Sequence, residues 1–225
     1  MADVKHRPLD ALPATELPWL RLRDHFVATV GPRSGEGRPL GPLLVLADAT
    51  FAPRSRFPLH PHRDMEILSI VVEGELSHHG DQAHASVVHA REAQLISARS
   101  GIVHAEGNDS PRPTRMLQIW FAPDHRGGAP AYHQRRLPDV RGRHLVAGDE
   151  AMPLRCDARV WWLDLEGDEA AALDVAPGRA GYLLALDAPL RAGGMALAAG
   201  EGLEVGAGTV EAFGAGAALW IEVPA

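Results

Sequence analysis

The stretch "FPLHPHRDMEILSIVVEGELSHH", residues 57–79, decides how the chain is read. From Glu66 onward it is a run of apolar and β-branched residues broken at Gly74, which is the composition of strands joined by a tight turn. Its opening places His60 and His62 one residue apart, with Glu66 four residues after the second histidine. In a strand, residues i and i+2 project to one face, so the two imidazoles point together into whatever that face encloses.

The surrounding chain repeats the same texture. Twenty-three glycines and 18 prolines cut it into short segments. "LLVLADATF", "EAQLISA", "TRMLQIWFA", "RVWWLDLEG", "GYLLALDAPL" and "ALWIEV" all read as strands. No segment keeps a 3.6-residue apolar period over three turns, so the expected class is all-β, a sandwich or barrel with few short helices. Those helices are expected in "PATELPWLRLRDHF" (13–26) or "PAYHQRRL" (130–137). The chain also echoes itself. "AREAQLISA" (90–98) resembles "AGEGLEVGA" (199–207) at an offset of 109, and "LQIWFAP" (117–123) resembles "LWIEVPA" (219–225) at an offset of 102. Two similar β units in tandem would produce both matches. Between them, residues 124–140 are polar, contain Gly and Pro, and read as a connection. The expected division is a first barrel over 1–123, this linker, and a second barrel over 141–225.

Composition narrows the class of function. With 225 residues, 46% of them hydrophobic and 23% charged, the chain is an ordinary globular protein. A net charge of −7 argues against a nucleic-acid-binding surface, which shows as an excess of Lys and Arg. Arg135 and Arg136 then read as a solvated pair. Cys156 is the single cysteine, so no intramolecular disulfide ties the chain to an oxidising compartment, and it reads as a small buried apolar residue. The N-terminal "MADVKHRPLD" lacks the apolar core of a signal peptide, and no stretch reaches the roughly 18 apolar residues of a membrane span, so a cytoplasmic location away from membranes is expected.

Two imidazoles make half a metal site. The other half is offered by "SGIVHAEGN" (100–108), where His104 and Glu106 repeat the i, i+2 spacing. Forty-one residues that read as a hairpin of strands separate the pairs, enough chain to bring them together. Three imidazoles and a carboxylate would leave positions open on a six-coordinate ion. Parity alone does not say whether Glu66 or Glu106 supplies the carboxylate. His78, His79, His84 and His89 form a second cluster in "SHHGDQAHASVVH", but the Gly80–Asp81 turn signal within it reads as a solvated hairpin tip. No histidine follows His144, so the later strands offer no imidazole site. Trp161, Trp162 and Trp220 there read as core aromatics.

The residues from Phe57 to Pro123 resemble the pirin family of bicupins. They carry H-x-H, Glu66, Gly74 eight positions later, and G-x2-H-x3-N as Gly101, His104 and Asn108. Arg99 stands where the pattern usually has proline; "PAYHQRRL" looks like the family's inter-domain segment, and the last 80 residues match loosely. The resemblance implies two tandem cupin barrels, with a metal in the first, most often Fe(II), held by His60, His62, His104 and Glu106. Mn, Ni, Cu or Zn would suit the same donors. It implies that Glu66 sits behind the ligands and orients an imidazole, and that the second barrel is structural. The implied reaction is that of quercetin 2,3-dioxygenases, which open the central ring of a flavonol with dioxygen, Glu106 serving as general base. Such an enzyme has a roomy apolar pocket beside the metal, lined by residues such as Met65, Ile67 or Met116. The competing implication is a redox-sensing iron protein that binds a transcription factor or metabolic enzyme, and a third is a bicupin with vestigial ligands.

Overall fold

The structure, a computed structural model, describes residues 2–83 and 85–225. Its strands run antiparallel and form two compact units. The first comprises Pro13–Leu137 and Glu150–Cys156; the second comprises the segment ending at Leu12 together with Pro138–Asp149 and Asp157–Ala225. Among the described residues the helical content is one 3-10 turn, Leu9–Ala11, and no helix is long and apolar enough to cross a membrane.

In the first unit, seven strands form a sheet in the order Ala131–Arg136, Glu92–Ser97, Glu66–Glu73, Thr114–Phe121, Leu43–Phe51, Leu20–Asp24, Ala14–Leu17. A second sheet runs Ser55–Arg56, Ile102–Asn108, Glu75–Gly80, Ser86–His89, and the short strand His60–His62 pairs with Ile102–Asn108. Leu22, Ala47, Ala49, Phe51, Val71, Leu76 and Met116 pack into one buried cluster, drawn from both sheets. Burying its leucine, valine, phenylalanine and methionine side chains contributes about 1.5–3 kcal/mol each.

Both segments expected to be helical are strands. In "LRLRD" the leucines and Asp24 are buried while Arg21 is exposed, a period of two that packs one face of a sheet. Ala131–Arg136, inside the stretch read as a connection, pairs residue for residue with Glu92–Ser97 and extends the first sheet.

In the second unit, a six-stranded sheet runs Val4–Arg7, Gly202–Val205, Arg179–Ala185, Gly216–Pro224, Arg159–Leu165, Gly142–Ala147. A four-stranded sheet, Ala171–Val175, Gly208–Gly214, Leu190–Ala192, Met195–Leu197, completes it. The core is continuous and apolar, built on Leu163, Leu173, Leu183, Leu203, Val210 and Trp220. Trp162 is likewise buried, while Trp161 is half-buried with the Arg143 guanidinium 4.1 Å above its ring. Cys156, assigned to the first unit, is buried and in no disulfide.

The sequence echo corresponds to topology. Glu92–Ser97, Glu66–Glu73, Thr114–Phe121 and Leu43–Phe51 stand side by side in the first unit, as Gly202–Val205, Arg179–Ala185, Gly216–Pro224 and Arg159–Leu165 do in the second. The two units are tandem copies of one β-barrel plan.

Candidate metal centre

Strand Ile102–Asn108 carries the site. His104 lies opposite His60 in the register, and Glu106, two residues on, projects to the same face. On its other side this strand pairs with Glu75–Gly80, where Glu106 faces His78 and His104 faces Gly80. Gly80 has φ +123°, and a Cβ there would come within 2.3 Å of the Val103 carbonyl oxygen and 2.7 Å of His104 Cα. Only glycine permits that approach, which seats His104.

Among the described residues, His60, His62 and His104 form the group able to hold a metal, one nitrogen of each lying within 4.8 Å of the others. Their ring centroids are 4.6–5.0 Å apart, and the His62 ring stands edge-on to Trp120 at 5.1 Å. Burial, then the neighbouring His60, pushes His62 down to about 4. Burial, then His62, His60 and His78, pushes His104 down to about 2. Both rings are therefore neutral at physiological pH, the form that ligates a cation. His60 Nδ1 donates to the Pro58 carbonyl at 2.8 Å, which leaves its Nε2 as a lone pair. His104 Nε2 is buried and has no hydrogen-bond partner. A divalent ion suits these nitrogens.

Glu106 stands outside the three-histidine group, in a polar row of its own. Its Oε1 accepts from Gln94 Nε2 and, at 3.3 Å, from Ser69 Oγ; its Oε2 accepts from Gln118 Nε2 at 3.3 Å. Burial pushes the carboxyl up to about 7, against the pull of those three donors. Gln94 Oε1 in turn accepts from the Tyr132 hydroxyl at 3.2 Å.

Glu66 lies elsewhere. Asp64, with φ +48°, turns the chain between His62 and Glu66, its N–H bonding to Arg99 O and its Oδ1 to Gly127 N–H. The two halves of "HPHRDME" thus belong to different sheets, and parity does not carry across the corner. Ser69 faces Glu106, so Glu66, three residues away on the same strand, faces the other side. Its Oε2 accepts from Ser97 Oγ at 2.5 Å, and the charges of Arg155 and Arg99 act on it, while burial holds its carboxyl above the usual range. No imidazole is among these partners. Arg99 has φ +44°, an angle closed to proline, so the departure from the cupin pattern accompanies a different turn. Asn108, the last residue of that pattern, is structural: it donates to the Ala52 and Arg112 carbonyls and accepts from Ser110 N–H.

The histidine cluster at 78–89 divides. His79 bonds Asp109 at 2.7 Å and His89 is exposed, as expected of a hairpin, and His84 lies outside the described residues. His78 corrects the reading of the cluster as a solvated tip. It is fully buried, with Nε2 3.1 Å from His104 Nδ1. The signal was its parity with Leu76, a core residue, which puts both on the inward face.

A cavity of about 240 Å³ opens beside the histidines. Its walls are largely apolar, with Val45, Ala47, Phe51, Phe57, Met116 and Trp120, and its polar groups include His60, Glu106 and Gln118. Met116 lines it as expected. Met65 and Ile67 do not, because they pack with Ile96, Ala98 and Ile102 in a separate cluster.

Comparison with known proteins follows the same lines. The family model described as Pirin matches residues 10–121. A Pseudomonas aeruginosa protein whose name assigns it provisionally to the quercetin 2,3-dioxygenases is 35% identical over 210 residues, covering 90% of each chain. The quercetin 2,3-dioxygenase of Escherichia coli K12 is 32% identical, covering 72% of this chain and 73% of its own. The crystal structure of the bacterial pirin YhhW from Escherichia coli in complex with nickel(II) superposes with a TM-score of 0.90 at 26% identity, covering 99% of both chains.

Proposed function

Because this chain belongs to the pirin family, we propose that it is a cytoplasmic, metal-dependent dioxygenase that opens the ring of a flavonol such as quercetin. The observation that carries this reading is the apolar cavity of about 240 Å³ whose wall includes both His60 and Glu106. An interaction protein needs no such chamber beside its metal. The nickel(II) bound by the similar bacterial pirin and the activity named for the E. coli relative support the same reading.

His60, His62 and His104 would hold the ion, and Glu106, two residues from His104 on the same strand, would supply the carboxylate. Fe(II) is the proposed metal, and Mn, Ni, Cu and Zn suit the same donors. When bound, such an ion would supply positive charge that stabilises an oxygen anion of the substrate. The chain's own residues do the rest. Phe51, Phe57 and Trp120 give the aromatic substrate an apolar slot and keep bulk water from it. Gln118 offers an amide at the cavity wall to a substrate oxygen. Glu106, on the same wall, takes the proton of the substrate hydroxyl, while Gln94, Ser69 and Gln118 hold the carboxylate in place.

Two measurements test the reading. Metal analysis of the purified protein beside His60→Ala and His104→Ala should show the ion lost in both variants; equal content in all three would mean the ion sits elsewhere. Quercetin with dioxygen and added Fe(II), followed by loss of the flavonol absorbance, should show turnover by the parent alone. A parent that binds metal but turns over no flavonol with any divalent ion would transfer the site to the redox-sensing, partner-binding reading.

A further inference from the structure

His78 ligates nothing in the proposed site, yet it is buried against one of the ligands. Its Nε2 lies 3.1 Å from His104 Nδ1, and the two ring centroids are 5.2 Å apart. One nitrogen of that pair donates and the other accepts. The choice is fixed at the far side of His78, where Nδ1 lies 3.3 Å from the Ala83 carbonyl oxygen. A carbonyl only accepts, so Nδ1 of His78 carries the proton, and in the neutral ring Nε2 is then an acceptor. The proton between the rings therefore belongs to His104 Nδ1. That leaves the lone pair of His104 on Nε2, the buried atom with no hydrogen-bond partner. His60 reaches the same tautomer by a different route, through the Pro58 carbonyl.

We propose that His78 is a positioning residue, which fixes His104 in the Nδ1–H tautomer and aims its Nε2 lone pair at the divalent cation. The inference rests on the reading of His104 as a ligand. It adds a residue, and a task, that ligation does not assign. Partners of this kind raise the basicity of a ligating imidazole and lock its ring, and losing one typically weakens metal binding about 10–100-fold. The strand pairing supplies the rigidity. His78 sits opposite Glu106 in the register, on the strand that runs beside His104, so its ring is held by the sheet.

The test begins without metal. In the metal-free protein labelled with 15N at histidine, long-range 1H–15N correlation should show His104 with a protonated Nδ1 and an unprotonated Nε2. A protonated Nε2, or an average of the two forms, overturns the assignment whatever the metal does. Titration with Co(II) then reads the purpose. His78→Phe should bind Co(II) about 10–100-fold more weakly than the parent and with an altered visible spectrum. His78→Gln, whose amide oxygen falls near the lost Nε2, should recover most of the affinity and the parental spectrum. Unchanged affinity and spectrum in His78→Phe would overturn the inference while leaving the metal site intact. A parent that takes up no Co(II) overturns the site itself, and His78's task with it. Should His78→Phe fail to fold, the tautomer of the parent and the behaviour of His78→Gln still decide.

Discussion

The two units share a strand order and differ in what that order encloses. In the first, Gln94, Ser69 and Gln118 stand in one register row across three neighbouring strands. In the second, the corresponding row is Leu203, Leu183 and Trp220. The repeat offsets point to the same correspondence: 109 residues separate Gln94 from Leu203, and 102 separate Gln118 from Trp220. Among the described residues, all buried polar and charged side chains fall between Thr15 and Thr114. At this row, one barrel is thus filled by packing and the other by hydrogen bonds around a carboxylate. A polar row survives inside a barrel when its members satisfy one another, and an apolar row needs no such agreement. The same scaffold therefore offers one interior for chemistry and one for stability.

The largest expected effect lies in the packed row. Trp220 is fully buried at one end of it, beside Leu183, and Gly181 leaves room for its ring: a Cβ at Gly181 would come within 2.0 Å of it. Trp220→Ala should cost about 3–5 kcal/mol of stability, the range for deleting a buried large aromatic. Gln118→Ala, its counterpart in the first unit, should cost about 1 kcal/mol, since it removes hydrogen bonds beside a cavity that already exists. Denaturant unfolding, resolved by amide exchange in each unit, gives both numbers. If Gln118→Ala proved the costlier of the two, the contrast drawn between packing and hydrogen bonding would be wrong.

The next effect is one of pH. Asp24 is fully buried, neither of its carboxylate oxygens has a hydrogen-bond partner, and burial pushes it up to about 7. A carboxyl whose folded value lies above its unfolded value favours the fold in its protonated form. Its contribution is complete below about 3.8 and is lost as the pH rises through about 7. Stability of the first unit should fall across that window by roughly 2–4 kcal/mol. In Asp24→Asn this share of the fall should disappear while the second unit is unmoved. Identical pH profiles for the parent and Asp24→Asn would show that Asp24 keeps an ordinary value in the fold.

Much of this was legible in the sequence, and what was not has identifiable causes. Alternation over short segments identified the strands, and the two i, i+2 pairs identified three side chains that converge, because strand geometry transmits spacing directly into facing. That inference ended where a strand ended. Asp64 adopts a left-handed angle between His62 and Glu66, and so detaches Glu66 from the histidines whose parity it shares in the sequence. "LRLRDHF" was ambiguous because a stretch so short shows its period only against a partner strand, here Leu43–Phe51. His78 was hidden by its neighbours, since turn residues on one side drew the whole histidine cluster into the loop. Leu76, two residues before it, was the better guide.

A smaller effect than those of Trp220 and Asp24 is expected from the most direct exchange between the rows. Gln94→Leu installs in the first unit the residue that the second has at that place. It removes the donor to Glu106 Oε1 and the acceptor of the Tyr132 hydroxyl, leaving Glu106 its two bonds of 3.3 Å. Losing a donor to a buried carboxylate costs about 1–3 kcal/mol. The cost carries a pH signature, because the lost bond favours the ionised form. Glu106 already sits at about 7, and without Gln94 it rises further. The deficit of the metal-free variant should therefore be small at pH 5, where both proteins are largely protonated at Glu106, and full above pH 8. The reciprocal change, Leu203→Gln, buries an amide between Leu183 and the strand Val4–Arg7, where no carboxylate is buried among the described residues. Its cost should be of similar size, about 1–3 kcal/mol, and flat with pH. A flat deficit in Gln94→Leu as well would mean that Glu106 is held by something other than the amide row, and the two interiors would then differ in polarity alone.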